Sequence, residues 1–115
     1  MDVESVKFIL WVKDMDRAVA FYRDVIGLYA RLHTPHWSEL AFGEAVVALH
    51  AGGDGTYRPT GLGIQVTDLD AACREVEAGG GRVRTPPQDR PGEPVRLADL
   101  EDPEGNGFQL SQYVG

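Results

Sequence analysis

The residues of this chain that could do chemistry fall at alternate positions of stretches rich in β-branched and aromatic side chains. Lys7 and Trp11 share one such stretch, Trp37 and Glu39 a second, and His50 closes a third. Gln65, Asp99 and Gln109 follow in the second half. In a strand, alternate residues share a face. Trp11 and Trp37 offer stacking surfaces. Glu39 and Asp99 accept hydrogen bonds and attract cations, while Gln65 and Gln109 both donate and accept. Lys7 beside Glu39 and His50 could move protons if burial lowers its pKa, or form a Schiff base with a carbonyl compound. Ala48, Gly61, Gly63 and Gly107 alternate with these residues and leave volume unfilled. Aromatic walls with a few polar groups have the composition of a small-molecule pocket. The plainer alternative is a solvated sheet face. Within a pocket the plain expectation is that Lys7 forms an ion pair with Glu39 and His50 stacks on Trp37. A carboxylate–imidazole set of Glu39, His50 and Asp99 could instead hold a divalent ion.

The elements that position these residues come as a repeat. Val12-Lys13-Asp14-Met15-Asp16-Arg17-Ala18 in the first half matches Val66-Thr67-Asp68-Leu69-Asp70-Ala71-Ala72 in the second, and Gly27 matches Gly81 at the same offset. A period this long in a chain this short marks two modules. In each, a strand leads to an aspartate at the N-cap position (Asp14, Asp68), then to a helix with one apolar stripe. Met15, Ala18, Val19, Tyr22, Val25 and Ile26 form the first stripe and Gly27 stops it; Leu69, Ala72, Cys73 and Val76 form the second, ended by Gly79-Gly80-Gly81. Strands follow at Tyr29–His33, Trp37–Phe42 and Ala45–His50, then at Arg82–Arg84, Val95–Leu100 and Gly107–Val114. The two-residue turn Gly43-Glu44 sets Phe42 opposite Ala45, Glu39 opposite Ala48 and Trp37 opposite His50. Phe8, Leu10, Val12, Leu40, Phe42, Val47, Leu49, Leu62, Ile64, Val66, Phe108 and Leu110 are expected to pack under the helices. Thr85–Pro94, rich in proline, reads as a long loop.

The chain has 115 residues, 43 % hydrophobic and 25 % charged, with a net charge of −7. That is one globular domain, 1–115: module one about 5–51, a link about 52–60, and module two about 61–114. The acidic balance argues against nucleic acid and leaves room for a cationic ligand. No stretch has the length of a membrane span. Met1 to Ser5 show no basic region leading into an apolar run, so the expected location is the cytoplasm. The one cysteine, Cys73, sits on a helix stripe as a buried thiol. His33 and His36 flank Thr34-Pro35 and read as loop residues.

The doubled capping segments, the Phe21-Tyr22 pair and the turn Asp102-Pro103-Glu104-Gly105-Asn106 together resemble the glyoxalase/bleomycin-resistance/dioxygenase group of the vicinal oxygen chelate superfamily. The resemblance covers nearly the whole chain. It implies an α+β fold: two βαβββ modules paired into an open, cup-shaped mixed sheet with helices on the outer face, usually as a homodimer. In metal-using members four cup positions hold His, Gln or Glu ligands. The resemblance carries these onto Lys7, Ala48, Gly61 and Gln109. Protonated lysine has no lone pair to give, and alanine and glycine have no donor. A metal centre of the usual type is therefore not expected, and neither is a cofactor.

Three functions remain. The first is a metal-free binding protein of the bleomycin-resistance type that holds an aromatic or cationic organic molecule through Lys7, Trp11, Trp37, Glu39, His50, Gln65, Asp99 and Gln109. The second is an enzyme of the same superfamily (lyase, isomerase or dioxygenase-like) with an altered or lost metal centre. The third is an accessory subunit whose cup is filled by its own side chains.

Overall fold

Both modules are present in the computed structural model, which describes residues 1–115. Module one runs β1 (Lys7–Val12), α1 (Met15–Ala20), a wider-wound π-helical continuation (Phe21–Ile26), β2 (Tyr29–His33), β3 (Trp37–Phe42) and β4 (Ala45–Ala51). Module two runs β5 (Arg58–Gln65), α2 (Leu69–Ala78), β6 (Arg82–Asp89), β7 (Val95–Glu101) and β8 (Asn106–Tyr113). Asp14 and Asp68 cap α1 and α2, their carboxylates accepting from the backbone N–H groups of Arg17 and Ala71 at 3.1 Å. Gly27 ends the first helical stretch at φ 92°, in the left-handed region that glycine tolerates. No helix is long and apolar enough to cross a membrane.

Each module makes a four-stranded sheet. The orders are β1-β4-β3-β2 and β5-β8-β7-β6, with β1–β4 and β5–β8 parallel and the other pairs antiparallel. No ladder joins the sheets, so β1 and β5 each keep an unpaired edge. One face of each sheet meets the helices. Leu10, Val12, Leu40, Val47 and Leu49 from the first sheet share a continuous core with Leu62, Leu100, Phe108 and Leu110 from the second, and with Met15, Val19, Tyr22, Leu69, Cys73 and Val76 from the helices. Burial raises the Cys73 thiol, helped by the charges of Asp70 and Glu77, so it is held in its unreactive form.

The modules are also joined by a buried polar interlock. The turn 102–106 reaches from module two onto the start of the first helix. Glu104 Oε1 accepts from the backbone N–H of Lys13 and of Asp14, both at 2.8 Å, and Oε2 accepts from Arg17 Nε at 2.6 Å. The fully buried Tyr22 donates its hydroxyl to Asp102 Oδ2 at 2.6 Å. Asp102 Oδ1 accepts from the N–H groups of Glu104 and Asn106, and Asn106 Nδ2 donates to the Trp11 carbonyl at 2.8 Å. Burial raises the Asp102 carboxyl, while the Tyr22 hydroxyl and these N–H donors pull it back down. Tyr22 is pushed well above the usual phenol range by burial, by the Asp102 charge and by its own hydrogen bond. Gly105 has φ 87°, and a Cβ there would stand 2.5 Å from the Thr56 carbonyl oxygen, so the turn accepts no side chain at that point.

Three expectations are corrected. The loop expected at Thr85–Pro94 is partly strand, since β6 continues to Asp89. Pro86 and Pro87 fit because β6 is an edge strand whose register shifts between Thr85 and Gln88. Likewise β5 starts at Arg58, inside the expected link, with a register shift between Pro59 and Leu62. Phe42 is not in the core: it is 76 % exposed at the hairpin end of β3. It lines an apolar groove of about 420 Å³ with Ile26, Leu28, Val47, Leu62 and Ile64.

Removing the interlock should destabilise the fold in proportion to the buried polar groups it leaves unmatched. Glu104→Ala takes the acceptor from the backbone N–H groups of Lys13 and Asp14, while the half-exposed Arg17 can turn to water; it is expected to cost about 2–3 kcal/mol, against about 1–2 kcal/mol for Tyr22→Phe. Urea denaturation measures both. A cost for Glu104→Ala within about 0.5 kcal/mol of zero would show that the turn is only a surface connection.

Candidate functional site

Strand alternation sends the chemistry-bearing residues to the sheet faces that the helices leave free. On the first sheet, β1 carries Lys7, Ile9 and Trp11, β3 carries Trp37 and Glu39, and β4 carries Ala48 and His50. The β1–β4 ladder sets Ile9 beside Ala48 and Trp11 beside His50, and the β3–β4 hairpin sets Glu39 beside Ala48 and Trp37 beside His50, as the turn at Gly43-Glu44 requires. His50 is therefore the centre of an aromatic cluster. Its ring lies 4.1 Å from the Trp11 ring, tilted by 33°, and meets the Trp37 ring edge-on at 5.9 Å. Trp11 is 42 % exposed, which leaves indole surface open to a ligand.

Glu39 organises the polar side of this cluster. Trp37 Nε1 donates to Oε2 at 2.8 Å, and Arg31 from β2 donates to Oε1 through Nε at 2.8 Å and Nη2 at 2.7 Å. The Trp37 hydrogen bond, followed by that of Arg31 and the charges of Arg31 and Lys7, holds the Glu39 carboxyl below the usual range against partial burial. The expected Lys7–Glu39 ion pair is not formed. Lys7 donates instead to Ser5 Oγ at 2.7 Å, and Arg31, a residue that sequence alternation did not single out, takes its place. Geometry thus gives Lys7 no partner for the proposed acid–base role. The expected free volume over Ala48 is absent too, because Ala48 is fully buried.

On the second sheet Asp99 and Gln109 are direct neighbours across β7 and β8. They line a cleft of about 270 Å³ with Tyr57, Thr60, Arg84 and Thr85. The Arg84 guanidinium lies 3.6 Å from the centre of the Tyr57 ring and also pairs with Glu101 at 3.2 Å. The Tyr57 ring covers Gly107: a Cβ there would meet Tyr57 Cε1 at 2.9 Å, so the space left by this glycine is already filled. Gly63 does leave open space. Gln65 is exposed at the end of β5, two residues along from Gly63, the register partner of Gln109; it borders the apolar groove with Phe42 and does not line the Asp99–Gln109 cleft. Tyr57 and Arg84 were missed as site residues because one lies in the glycine-rich link and the other beside the proline-rich segment. The single signal in the sequence was an aromatic residue in an otherwise polar link.

The four positions at which the family holds a metal do not form a ligand set here. Lys7 and Ala48 are on the first sheet and Gly61 and Gln109 on the second, and only Gln109 offers an uncharged oxygen donor. Within one chain the alternative set of Glu39, His50 and Asp99 is split between the two sheets. No three His, Cys, Asp or Glu side chains converge elsewhere.

A family model described as the Glyoxalase/Bleomycin resistance protein/Dioxygenase superfamily matches residues 5–110. Among solved structures, one is a superfamily member from Sphaerobacter thermophilus DSM 20745. It is 23 % identical, with a TM-score of 0.78 over 96 % of this chain and 98 % of that one. A family enzyme from Burkholderia phytofirmans PsJN is 19 % identical, with a TM-score of 0.78 over 93 % of this chain and 96 % of that one. The bleomycin-binding protein of Streptomyces verticillus, solved with copper(II)-bleomycin, is also 19 % identical, with a TM-score of 0.68 over 96 % of each chain. Likenesses at this level of identity establish the fold. No curated protein matches in sequence.

The Glu39 geometry fixes a pH dependence. Its folded pKa lies below the unfolded value, so its stabilising bonds are in place above about pH 4 and are lost as pH falls through the depressed value. Tryptophan emission should therefore change in a step below about pH 4, before far-ultraviolet circular dichroism reports unfolding. Glu39→Gln should lack that step. A wild-type step centred above about pH 5 would contradict the geometry.

Proposed function

Since the chain belongs to the Glyoxalase/Bleomycin resistance protein/Dioxygenase superfamily, we propose that it is a small-molecule binding protein of the bleomycin-resistance type. It works without the usual metal centre and holds an aromatic or cationic organic molecule. The observation that carries this is the free face of the first sheet. Two indoles flank an imidazole there, a carboxylate fixes one of the indoles, and the family's metal positions supply almost no donors. The net charge of −7 favours a cationic guest. Asp99 and Gln109 add acceptors on the second sheet. The structural likeness to a bleomycin-binding protein supports the same class of ligand.

The working form in this proposal is a homodimer. Within one chain the two free faces are not joined by a ladder, and β1 and β5 have open edges. A second copy that covers these edges would bring the indoles of one chain to the Asp99–Gln109 cleft of the other and so complete the cup.

Quenching of tryptophan fluorescence by methyl viologen and by 1-naphthylmethylammonium tests the binding, with sedimentation velocity on the same samples. Saturable quenching by a dimer is expected, with affinity weakened about tenfold or more in Trp11→Ala and Trp37→Ala. Folded protein that no cationic aromatic quenches would overturn the proposal.

A further inference from the structure

The most constrained group on the free face of the first sheet is the His50 imidazole. Its Nδ1 lies 2.6 Å from the Ala51 carbonyl oxygen. A carbonyl oxygen only accepts, so Nδ1 carries the proton. In the neutral ring the lone pair is then on Nε2. The ring cannot turn freely, because Trp11 stacks on it at 4.1 Å and Trp37 abuts it at 5.9 Å. Nε2 makes no hydrogen bond within the chain. The half-buried His50 also leaves no side-chain nitrogen both buried and unpartnered, so Nε2 reaches the surface.

The other acceptors on this face are engaged. Glu39 Oε2 holds Trp37 and Oε1 holds Arg31. His50 Nε2 is thus a free, oriented side-chain acceptor between two indole rings. A donor that meets it must come on a group able to lie against aromatic surface.

We propose that His50 Nε2 accepts a hydrogen bond from a ring-borne O–H or N–H of the bound molecule, so that the ligand class is a planar aromatic carrying such a donor, a phenol or an azole. This rests on the binding function proposed above and narrows it. A bare hydrocarbon ring would stack but leave Nε2 unmatched. An aromatic ether would present one more acceptor to an acceptor.

Long-range proton–nitrogen correlation spectra of protein labelled with ¹⁵N-histidine test the premise directly, at about pH 8, where an ordinary imidazole is neutral. Loss of one set of signals in His50→Phe assigns the residue. The expected spectrum shows protonated Nδ1 and bare Nε2; the opposite tautomer overturns the inference. The same sample is then titrated with 4-methylphenol, whose hydroxyl keeps its proton at this pH, and with its methyl ether, 4-methylanisole. The phenol should move the Nε2 resonance and bind about fivefold or more tightly than the ether. His50→Phe should equalise the two probes, and His50→Gln, whose amide oxygen still accepts, should keep part of the preference. Equal binding of both probes that moves the indole signals but leaves Nε2 unchanged overturns the role of His50 and leaves the binding function standing. No effect of either probe on Trp11, Trp37 or His50 overturns both.

Discussion

The Asp102–Asn106 turn is the constraint on which the rest of this structure depends. Neither sheet pairs with the other through strands. What fixes their relation is a shared apolar core and, at its edge, a set of charge-assisted hydrogen bonds from one turn. Apolar contact is tolerant of small slips, whereas a buried carboxylate with several matched donors is not. Glu104 grips the first backbone N–H groups before α1, and Asp102 grips Tyr22 one helical stretch later. The helix is therefore pinned at two heights by a single turn of the other module. Asn106 ties the same turn to the Trp11 carbonyl, so the pinning reaches the strand that carries an indole of the candidate site.

This arrangement separates stability from binding. The helix-side faces hold the large aliphatic residues and the interlock, and every buried polar side-chain atom there is matched. The free faces hold the groups that can meet a ligand. On the first sheet these are organised by neighbours within the sheet: Glu39 holds Trp37 on the same strand, and Trp11 holds His50 across the β1–β4 ladder. On the second they are organised by chain that enters from outside the sheet core, with Tyr57 from the link lying on Gly107 and under Arg84. The positions that the resemblance assigns to metal ligands fall on the same faces, and of Lys7, Ala48, Gly61 and Gln109 only Gln109 offers an uncharged oxygen donor. Here the fold carries a different set of contacts on an inherited scaffold.

Much of this was legible in the sequence wherever the physics is local. A two-residue turn fixes a hairpin register, and Trp37 does sit opposite His50. A carboxylate before an apolar stripe caps a helix, and Asp14 and Asp68 do so. What was not legible depends on contacts distant in sequence. The turn at 102–106 could be read as a turn, but nothing local shows that Glu104 finds its donors at Lys13, Asp14 and Arg17. Alternation placed Phe42 in the core, yet at the hairpin end of β3 it stays exposed on the rim of an apolar groove. The prolines at 86 and 87 suggested a loop, because sequence does not reveal which strand will lie at an edge. Lys7 and Glu39 were correctly placed on one face, but Arg31 from the edge strand reached the carboxylate instead.

The interlock makes the two modules one cooperative unit, and the chain carries its own reporters for that claim. Both tryptophans lie in module one, and the single cysteine lies buried in module two. Urea unfolding followed at once by tryptophan emission and by pulsed thiol labelling of Cys73 compares the modules directly. One coincident transition is the predicted result. Labelling of Cys73 at urea concentrations where the tryptophan signal is still native would contradict it, showing that module two opens on its own and that the turn does not bind the modules together.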